Sequence, residues 1–414
     1  MSPDARTAAK EGAEVRRLRP RGSSQGGLRQ YNERVVLQAI RLHGALPGAE
    51  IARVTHLTAQ TVSLITKRLL EDGLLLKGTP QRGKVGQPSV PLALAPDGAF
   101  AVGVKIGRRS IDVLLVDFVG AVRQRWSRSY RYPEAGALLA FIDECLAELR
   151  STLPEEQLAR MQGLGIAIPF SLGGWRTLLD MPPEVGEAWQ AIDFAAEVQR
   201  LSDWPVTLMK DTAAACVAEL VAGRGRSISS FLYVFLATFV GGGLVLDSHL
   251  RSGLHGNAGA IGSMPLGLPA ASQASPAQLL SEASLLQLEQ RFAQAGLALE
   301  AAGDERALQA PWWPITSAWL ASTGAAIALA INSAACLLDI ENVIIDGSIP
   351  AALRDALRQA TEQALDRYDW QGVTRPQLLP GTIGSDARAL GGALLPLHAN
   401  FAPDRALFLK AEGG

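Results

Sequence analysis

The chain has 414 residues, 48% of them hydrophobic and 19% charged, with a formal net charge of −1. That balance excludes a disordered polymer and supplies enough apolar material for at least two domains. No uninterrupted apolar run reaches the ~18 residues of a membrane span, the basic start lacks the apolar stretch of a secretory signal, and three scattered cysteines, Cys145, Cys216 and Cys336, cannot build a disulfide framework, so a cytoplasmic protein is expected.

The near-zero total hides an asymmetry. Residues 1–95 hold 15 Lys and Arg against 7 Asp and Glu, and the remainder holds 24 against 33. A basic quarter ahead of an acidic body suggests that one end meets a polyanion, unless the excess belongs to a solvated tail. Residues 1–29, with Arg16, Arg17, Arg19 and Arg21 among Gly and Ser, read as a flexible basic arm.

From Tyr31 the pattern becomes helical, with Val35, Val36, Ala39 and Ile40 on one stripe and a stop at Gly44. A second short helix follows Pro47, His56 and Leu57 turn, and Thr58 caps a third helix that runs to about Asp72. Val62, Ile65 and Leu69 face inward from it. Strands at Leu74–Lys77 and Ser89–Leu94 flank a Gly- and Lys-containing loop. Three helices and a two-stranded hairpin over residues 30–95 make a winged helix-turn-helix. Such a unit holds its third helix clear of the body so that outward side chains reach base edges. Those side chains are Gln60, Thr61, Ser63 and Lys67, with Arg68 toward the phosphates and Arg82 and Lys84 on the wing. Gln suits adenine, hydroxyls suit either partner, and Lys suits guanine or phosphate. A double-stranded DNA operator is the expected partner, the alternative being a winged helix used for protein contacts.

After Pro96-Asp97-Gly98 the character changes. Apolar, β-branched runs at Phe100–Ile106 and Ile111–Val116, a third strand at Ala121–Trp126, a helix over about Glu134–Leu149 and a strand at Gly163–Ile168 follow. More strands are expected at Val206–Met209, Ser229–Ala237, Gly243–Leu246 and Asn342–Ile345, and a helix from about Ser385 to Pro396. Hairpins alternating with helices indicate an α/β body with mixed sheets.

The ordered motifs of residues 31–400 resemble the ROK family of sugar-responsive repressors and sugar kinases, in particular its repressor branch. Val102-Gly103-Val104-Lys105-Ile106-Gly107-Arg108-Arg109 is similar to the first phosphate loop, Met209-Lys210-Asp211-Thr212-Ala213-Ala214-Ala215 to the segment with the sugar-binding Asp, and Thr238-Phe239-Val240-Gly241-Gly242-Gly243 to the second phosphate loop. Gly256-Asn257-Ala258-Gly259-Ala260-Ile261-Gly262-Ser263-Met264 resembles the sugar and zinc segment, and Val343-Ile344-Ile345-Asp346-Gly347-Ser348 the turn beside adenosine. The resemblance implies an α/β chain whose winged helix is joined to a two-lobed, actin-like body of the sugar kinase/Hsp70 type. Lobe 1 would be 96–222 and lobe 2 would be 223–414, with a C-terminal helix returning to lobe 1.

The departures from the family pattern fall on chemistry. Lys105 stands where the resemblance places an acid that helps hold magnesium, and an ammonium repels that cation. Arg108 and Arg109 replace a compact turn, leaving them able to bind an anion. Lys210 replaces an Asn and could pair with Asp211. Asp211 is either a ligand for a hydroxyl or a helix N-cap. Ala260 and Ser263 replace a Glu and a His, and residues 264–285 hold no Cys or His, so no metal is expected. The candidate effector residues are Asp211, Lys210, Asn257, Ser263 and Ser171, with no cofactor and no catalytic residue. Trp312, Trp313 and Trp319 either stack on a sugar or pack an interface or core. The reading is a repressor, a homodimer or dimer of dimers, with a possible sugar-like effector. Its alternatives are a regulator controlled by a protein partner or by no effector, and an ATP-dependent sugar kinase.

Overall fold

The computed structural model describes residues 25–80, 89–169, 181–269 and 275–403. Arg82, Lys84, Ser171 and the basic arm up to residue 24 lie outside the described residues. Two compact units divide at Gly98, the second being Ala99–Ala399.

In the first unit, helix α1 (Gln25–His43) precedes β1 (Leu46–Pro47), α2 (Gly48–Thr55), α3 (Ala59–Glu71), β2 (Leu75–Lys77) and β3 (Pro91–Leu94). Val36 and Ile40 of α1, Ile51 of α2 and Val62, Ile65 and Leu69 of α3 are buried. These residues recur every three or four positions, which gives each helix one apolar stripe. Two boundaries differ from the sequence reading. Helix α1 starts at Gln25, so residues 25–29 are helix and not arm. The sheet has three strands, because Leu46 and Pro47 pair antiparallel with Leu92 and Pro91. A two-residue strand leaves no alternating pattern to read.

The second unit contains two five-stranded sheets. Strands β4 (Phe100–Ile106), β5 (Ser110–Asp117) and β6 (Val122–Ser129) form an antiparallel meander, and β7 (Met161–Ile168) and β8 (Val206–Lys210) add parallel to β4. The order is β6-β5-β4-β7-β8. The other sheet repeats that plan: β9 (Phe231–Leu236), β10 (Val240–Leu246) and β11 (His249–Arg251) meander, β12 (Asn342–Gly347) and β13 (Gln377–Pro380) run parallel, and the order is β11-β10-β9-β12-β13. The duplication lies in the topology of the strands. Helix α4 (Ala135–Thr152) packs Leu138, Ile142 and Leu146 against the first sheet. Helix α5 (Asp211–Ala222) leaves the end of β8 directly. Helices α6 (Leu285–Gln294), α7 (Trp313–Leu338) and α8 (Ala351–Leu365) bury the core of the second sheet.

Helix α7 is long and apolar enough to cross a membrane, yet 56% of its most apolar window is buried within the fold. Trp319 is fully buried in that core, and Trp312 packs on it while donating Nε1–H to Ala298 O at 3.2 Å. Two of the three tryptophans are therefore structural.

The last helix, α9 (Ala387–Phe401), runs against both β4 and β7. A Cβ on Gly165 would stand 1.8 Å from the Gly392 carbonyl oxygen, and one on Gly391 would stand 1.7 Å from that of Ala214 in α5. At these distances backbone meets backbone, and no side chain can turn away to make room. Gly391→Ala is expected to cost at least about 3 kcal/mol, since over-packed cores lose roughly 1–3 kcal/mol even where side chains yield. Urea unfolding of the full chain checks this; a loss under ~1 kcal/mol would mean that α9 can shift freely.

Candidate functional site

In the first unit, Thr58 Oγ1 accepts the Thr61 N–H at 3.1 Å and lies 2.8 Å from the Thr61 hydroxyl, so α3 starts as the sequence indicates. The same contact revises one assignment. Thr61 is half-buried and its hydroxyl belongs to the cap, whereas Gln60, Ser63, Lys67 and Arg68 are exposed. Lys67 Nζ sits 3.9 Å from Glu71 Oε1, and Arg68 Nη1 sits 3.6 Å from Glu33 Oε1 of α1. Such exposed pairs hold a side chain loosely. Sequence reasoning passed over Leu64, which is 54% exposed between Ser63 and Lys67. A large apolar residue left in water beside polar reading groups was the available signal, because thymine presents a methyl group in the major groove.

In the second unit, a cavity of about 420 Å³ is lined by Lys210, Asp211, Asn257 and Ser263 together, four residues from two sequence segments. Thr212, Arg108 and Arg388 share its wall. Asp211 is the first residue of α5. Its Oδ1 accepts the Thr212 N–H at 2.9 Å, and its Oδ2 lies 3.5 Å from Nη1 of Arg388. The ion-pair partner of Asp211 is thus Arg388, and not Lys210 as the sequence suggests. Arg388 also donates from Nη2 to Ser348 Oγ at 3.1 Å, and its guanidinium carbon lies 5.4 Å from the Phe235 ring centre. It reaches the site from α9, far along the chain, and carries no local motif that could have announced it.

Lys210 precedes α5 and lines the cavity, and among the described residues its ammonium makes no ion pair or hydrogen bond. Burial lowers its pKa, opposed by the negative charge of Asp211. Lys105 differs: its Nζ donates to Ser110 Oγ at 2.7 Å and to Asp112 Oδ2 at 2.9 Å. Burial, then repulsion from Arg388, lowers the Lys105 pKa. Asp112, although burial opposes it, is held below the ordinary carboxylate range by Lys105 and by the Ser127 hydroxyl. The arginines of the first loop are also occupied. Arg108 Nη1 lies 3.1 Å from Glu289 Oε2 of α6, and Arg109 makes two contacts with the same carboxylate at 3.1 and 3.2 Å. The pair therefore ties the β4–β5 turn to α6, where the sequence reading left both free for an anion.

The glycines of the second loop have a different use from the one expected. Gly241, Gly242 and Gly243 lie inside β10, pairing with β9. A Cβ at Gly241 would meet Thr212 Cγ2 at 2.6 Å, and one at Gly243 would meet Cys216 Cβ at 2.5 Å. They let α5 press on the strand. The turn itself spends its carbonyls on α6, with Leu285 N–H donating to Ala237 O at 3.1 Å and Leu286 N–H to Thr238 O at 3.2 Å. A magnesium-bound nucleotide needs acids for the metal and open backbone N–H groups for the phosphates. Lys105 and the packed glycines do not fit that group. Among the described residues no three His, Cys, Asp or Glu gather as a metal site.

Comparison with known proteins places these features in a family. A family model described as ROK family matches residues 101–399. The xylose repressor of Bacillus subtilis is 21% identical over 244 residues, which is 59% of this chain and 62% of that protein. The match therefore spans less than two thirds of the repressor's length. A solved ROK family transcriptional regulator, described as a homolog of the E. coli MLC protein, has 22% identity and a TM-score of 0.64, covering 90% of this chain and 98% of its own. A ROK family glucokinase from Streptomyces griseus, solved with glucose and AMPPNP, has 20% identity and a TM-score of 0.57, covering 72% of this chain and 99% of its own. At these identities the structural likenesses speak to the fold alone.

One buried carboxylate of the second sheet has a measurable signature. Asp346, at the end of β12, is fully buried. Its Oδ2 accepts from Tyr233 O–H at 3.0 Å and from Gly384 N–H at 3.1 Å, while its Oδ1 has no hydrogen-bond partner. Burial raises its pKa against the pull of those donors. Between the ordinary value of 3.8 and the raised one, the folded chain keeps a proton that the unfolded chain has released. The contribution of this group to stability is complete below 3.8 and lost as pH rises through the raised value. Asp346→Asn cannot titrate, so its melting temperature relative to the parent is expected to climb from pH 4 to pH 7. A difference that stays constant across that range would refute the assignment.

Proposed function

The chain belongs to the ROK family, and we propose that within it the protein is a DNA-binding transcriptional regulator, acting as a repressor and not as a sugar kinase. The observation that carries this reading is the outward face of α3, where Gln60, Ser63, Leu64, Lys67 and Arg68 stand exposed on a helix capped by Thr58 and buried along its other side. A helix so mounted enters the major groove, and Gln and Lys supply donors that the groove's base edges can distinguish. The basic excess of residues 1–95 supplies the sequence-independent attraction to phosphate. A homodimer would present two such helices to a near-palindromic operator.

The cleft supports the same reading from the opposite side. Phosphoryl transfer rests on magnesium and on positioned phosphates. Here the cation's place is taken by Lys105, locked to Asp112, and the glycines of β10 are consumed by packing. What remains is a cavity with polar walls, suited to holding a carbohydrate-derived effector. Such a ligand changes DNA affinity only to the extent that it binds one lobe arrangement better than another.

Anisotropy of labelled DNA from upstream of the protein's own gene, titrated at two salt concentrations, tests the reading. Specific binding at about 10⁻⁸ M or tighter is expected. Gln60→Ala should weaken it by roughly 1–3 kcal/mol through one base position, and Lys67→Ala should lower the salt slope by about one if it contacts phosphate. Affinity equal on scrambled DNA would sink the claim of sequence reading. Sugar-dependent ATP turnover abolished by Asp211→Ala would restore the kinase reading.

A further inference from the structure

We propose that the cavity takes an anionic carbohydrate, a sugar carrying a phosphate or carboxylate, with the Lys210 ammonium as the group that recognises its charge. The inference rests on the cavity being an effector site and specifies the class of effector.

It follows from an imbalance of charge in the wall. Among the described residues the lining holds three cations, Arg108, Lys210 and Arg388, and one carboxylate, Asp211. Arg388 is matched by Asp211. Arg108 shares the single carboxylate of Glu289 with Arg109, so that cluster keeps one positive charge in excess. The neighbouring Lys105 is matched by Asp112 and contributes nothing either way. Among the described residues Lys210 makes no ion pair, the neighbouring Asp211 being matched to Arg388, and it sits at the positive end of the α5 dipole, where a cation is disfavoured and an anion is favoured. A half-buried ammonium in this position costs free energy unless something negative enters the site.

The same wall is poorly made for a neutral sugar. Carboxylates accept hydrogen bonds from sugar hydroxyls, and the one carboxylate here already accepts Thr212 N–H at Oδ1 and has its charge matched by Arg388 at Oδ2, which leaves fewer of its lone pairs for hydroxyls. Ala260, on the cavity wall, brings no polar atom in its side chain. Asn257, Ser263 and Thr238 remain for hydroxyls. Neutral groups at one part of the cavity and an unmatched cation at another describe a polyol bearing a negative charge.

Thermal shift and calorimetry on the full chain, with glucose, glucose 6-phosphate, glucuronate and inorganic phosphate as separate probes, test the proposal. Glucose 6-phosphate or glucuronate is expected to bind at least tenfold more tightly than either glucose or inorganic phosphate, and which of the two does so identifies the acid. Lys210→Met should lose tenfold or more of that affinity, and Lys210→Arg should restore most of it. The melting temperature of unliganded Lys210→Met, at or above that of the parent, separates lost recognition from lost folding. Glucose binding as tightly as the anions, no binding by either sugar anion, or affinity unmoved in Lys210→Met would each overturn the proposal. Inorganic phosphate matching glucose 6-phosphate would remove the carbohydrate from it. DNA anisotropy without any probe is read separately, so a failed effector class and a failed regulator reading give different results.

Discussion

The approach of α9 to the first sheet and to α5 is the constraint on which the second unit depends. Gly103 in β4, Gly165 in β7 and Gly391 and Gly392 in α9 bring main chains together at distances that admit no Cβ. Because α9 follows β13 of the second sheet in sequence and packs on strands of the first, it couples the two halves by steric contact, which has little tolerance for displacement. That contact also sets the chemistry. Arg388 lies at the start of α9, and its reach to Asp211 at the start of α5 is a consequence of Gly391 lying on Ala214.

On this scaffold the segments that resemble phosphate loops make internal contacts. Lys105 and Asp112 form a pair in the strands β4 and β5, and the cost of burying each charge is offset only while the other is present. The glycines of β10 fill against Thr212 and Cys216. Asp346 occupies the space beside Gly381, where a Cβ would lie 2.4 Å from its Cγ. Each of these residues is engaged in an internal contact. Their common outcome is a cavity whose surrounding segments are held by internal contacts.

Much of this was legible in the residue order. The helices of the first unit show apolar positions every three or four residues with Thr58 as a cap, and the strands β4, β5, β7 and β9 are short β-branched or aromatic runs bounded by turn residues. Helix α7 escaped notice because Ala, Ser and Thr are spread through its apolar residues, so no polar face interrupts the pattern. Asp211, Lys210, Asn257 and Ser263 could be named because each lies in a recognisable segment. Their neighbours could not be. Arg388 joins Asp211 and Glu289 joins Arg108 only through the tertiary fold, and a charge on a helix surface has the same appearance in a sequence whether its partner is distant protein or water. The glycine run misled for a related reason: glycine serves a strand pressed by a helix and a loop around phosphate equally well.

The two connections across the cleft differ in kind, and the difference bears on how a bound ligand can be felt elsewhere. At α9 the halves meet through backbone atoms, a contact that is either kept or lost. At the β4–β5 turn they meet through Arg108, Arg109 and Glu289, where side chains of adjustable length share one charge and Arg109 remains about half exposed. The Arg109 arm of this cluster is exposed enough for salt to screen it, whereas Arg108 and Glu289 are largely buried. One seam is therefore built of main chain in steric contact and the other of charged side chains. Arg108 lines the cavity and also belongs to the compliant seam. An anion placed beside Arg108 in the cavity would compete with Glu289 for the same guanidinium, so the wall of the cavity and the charged seam share one charge balance.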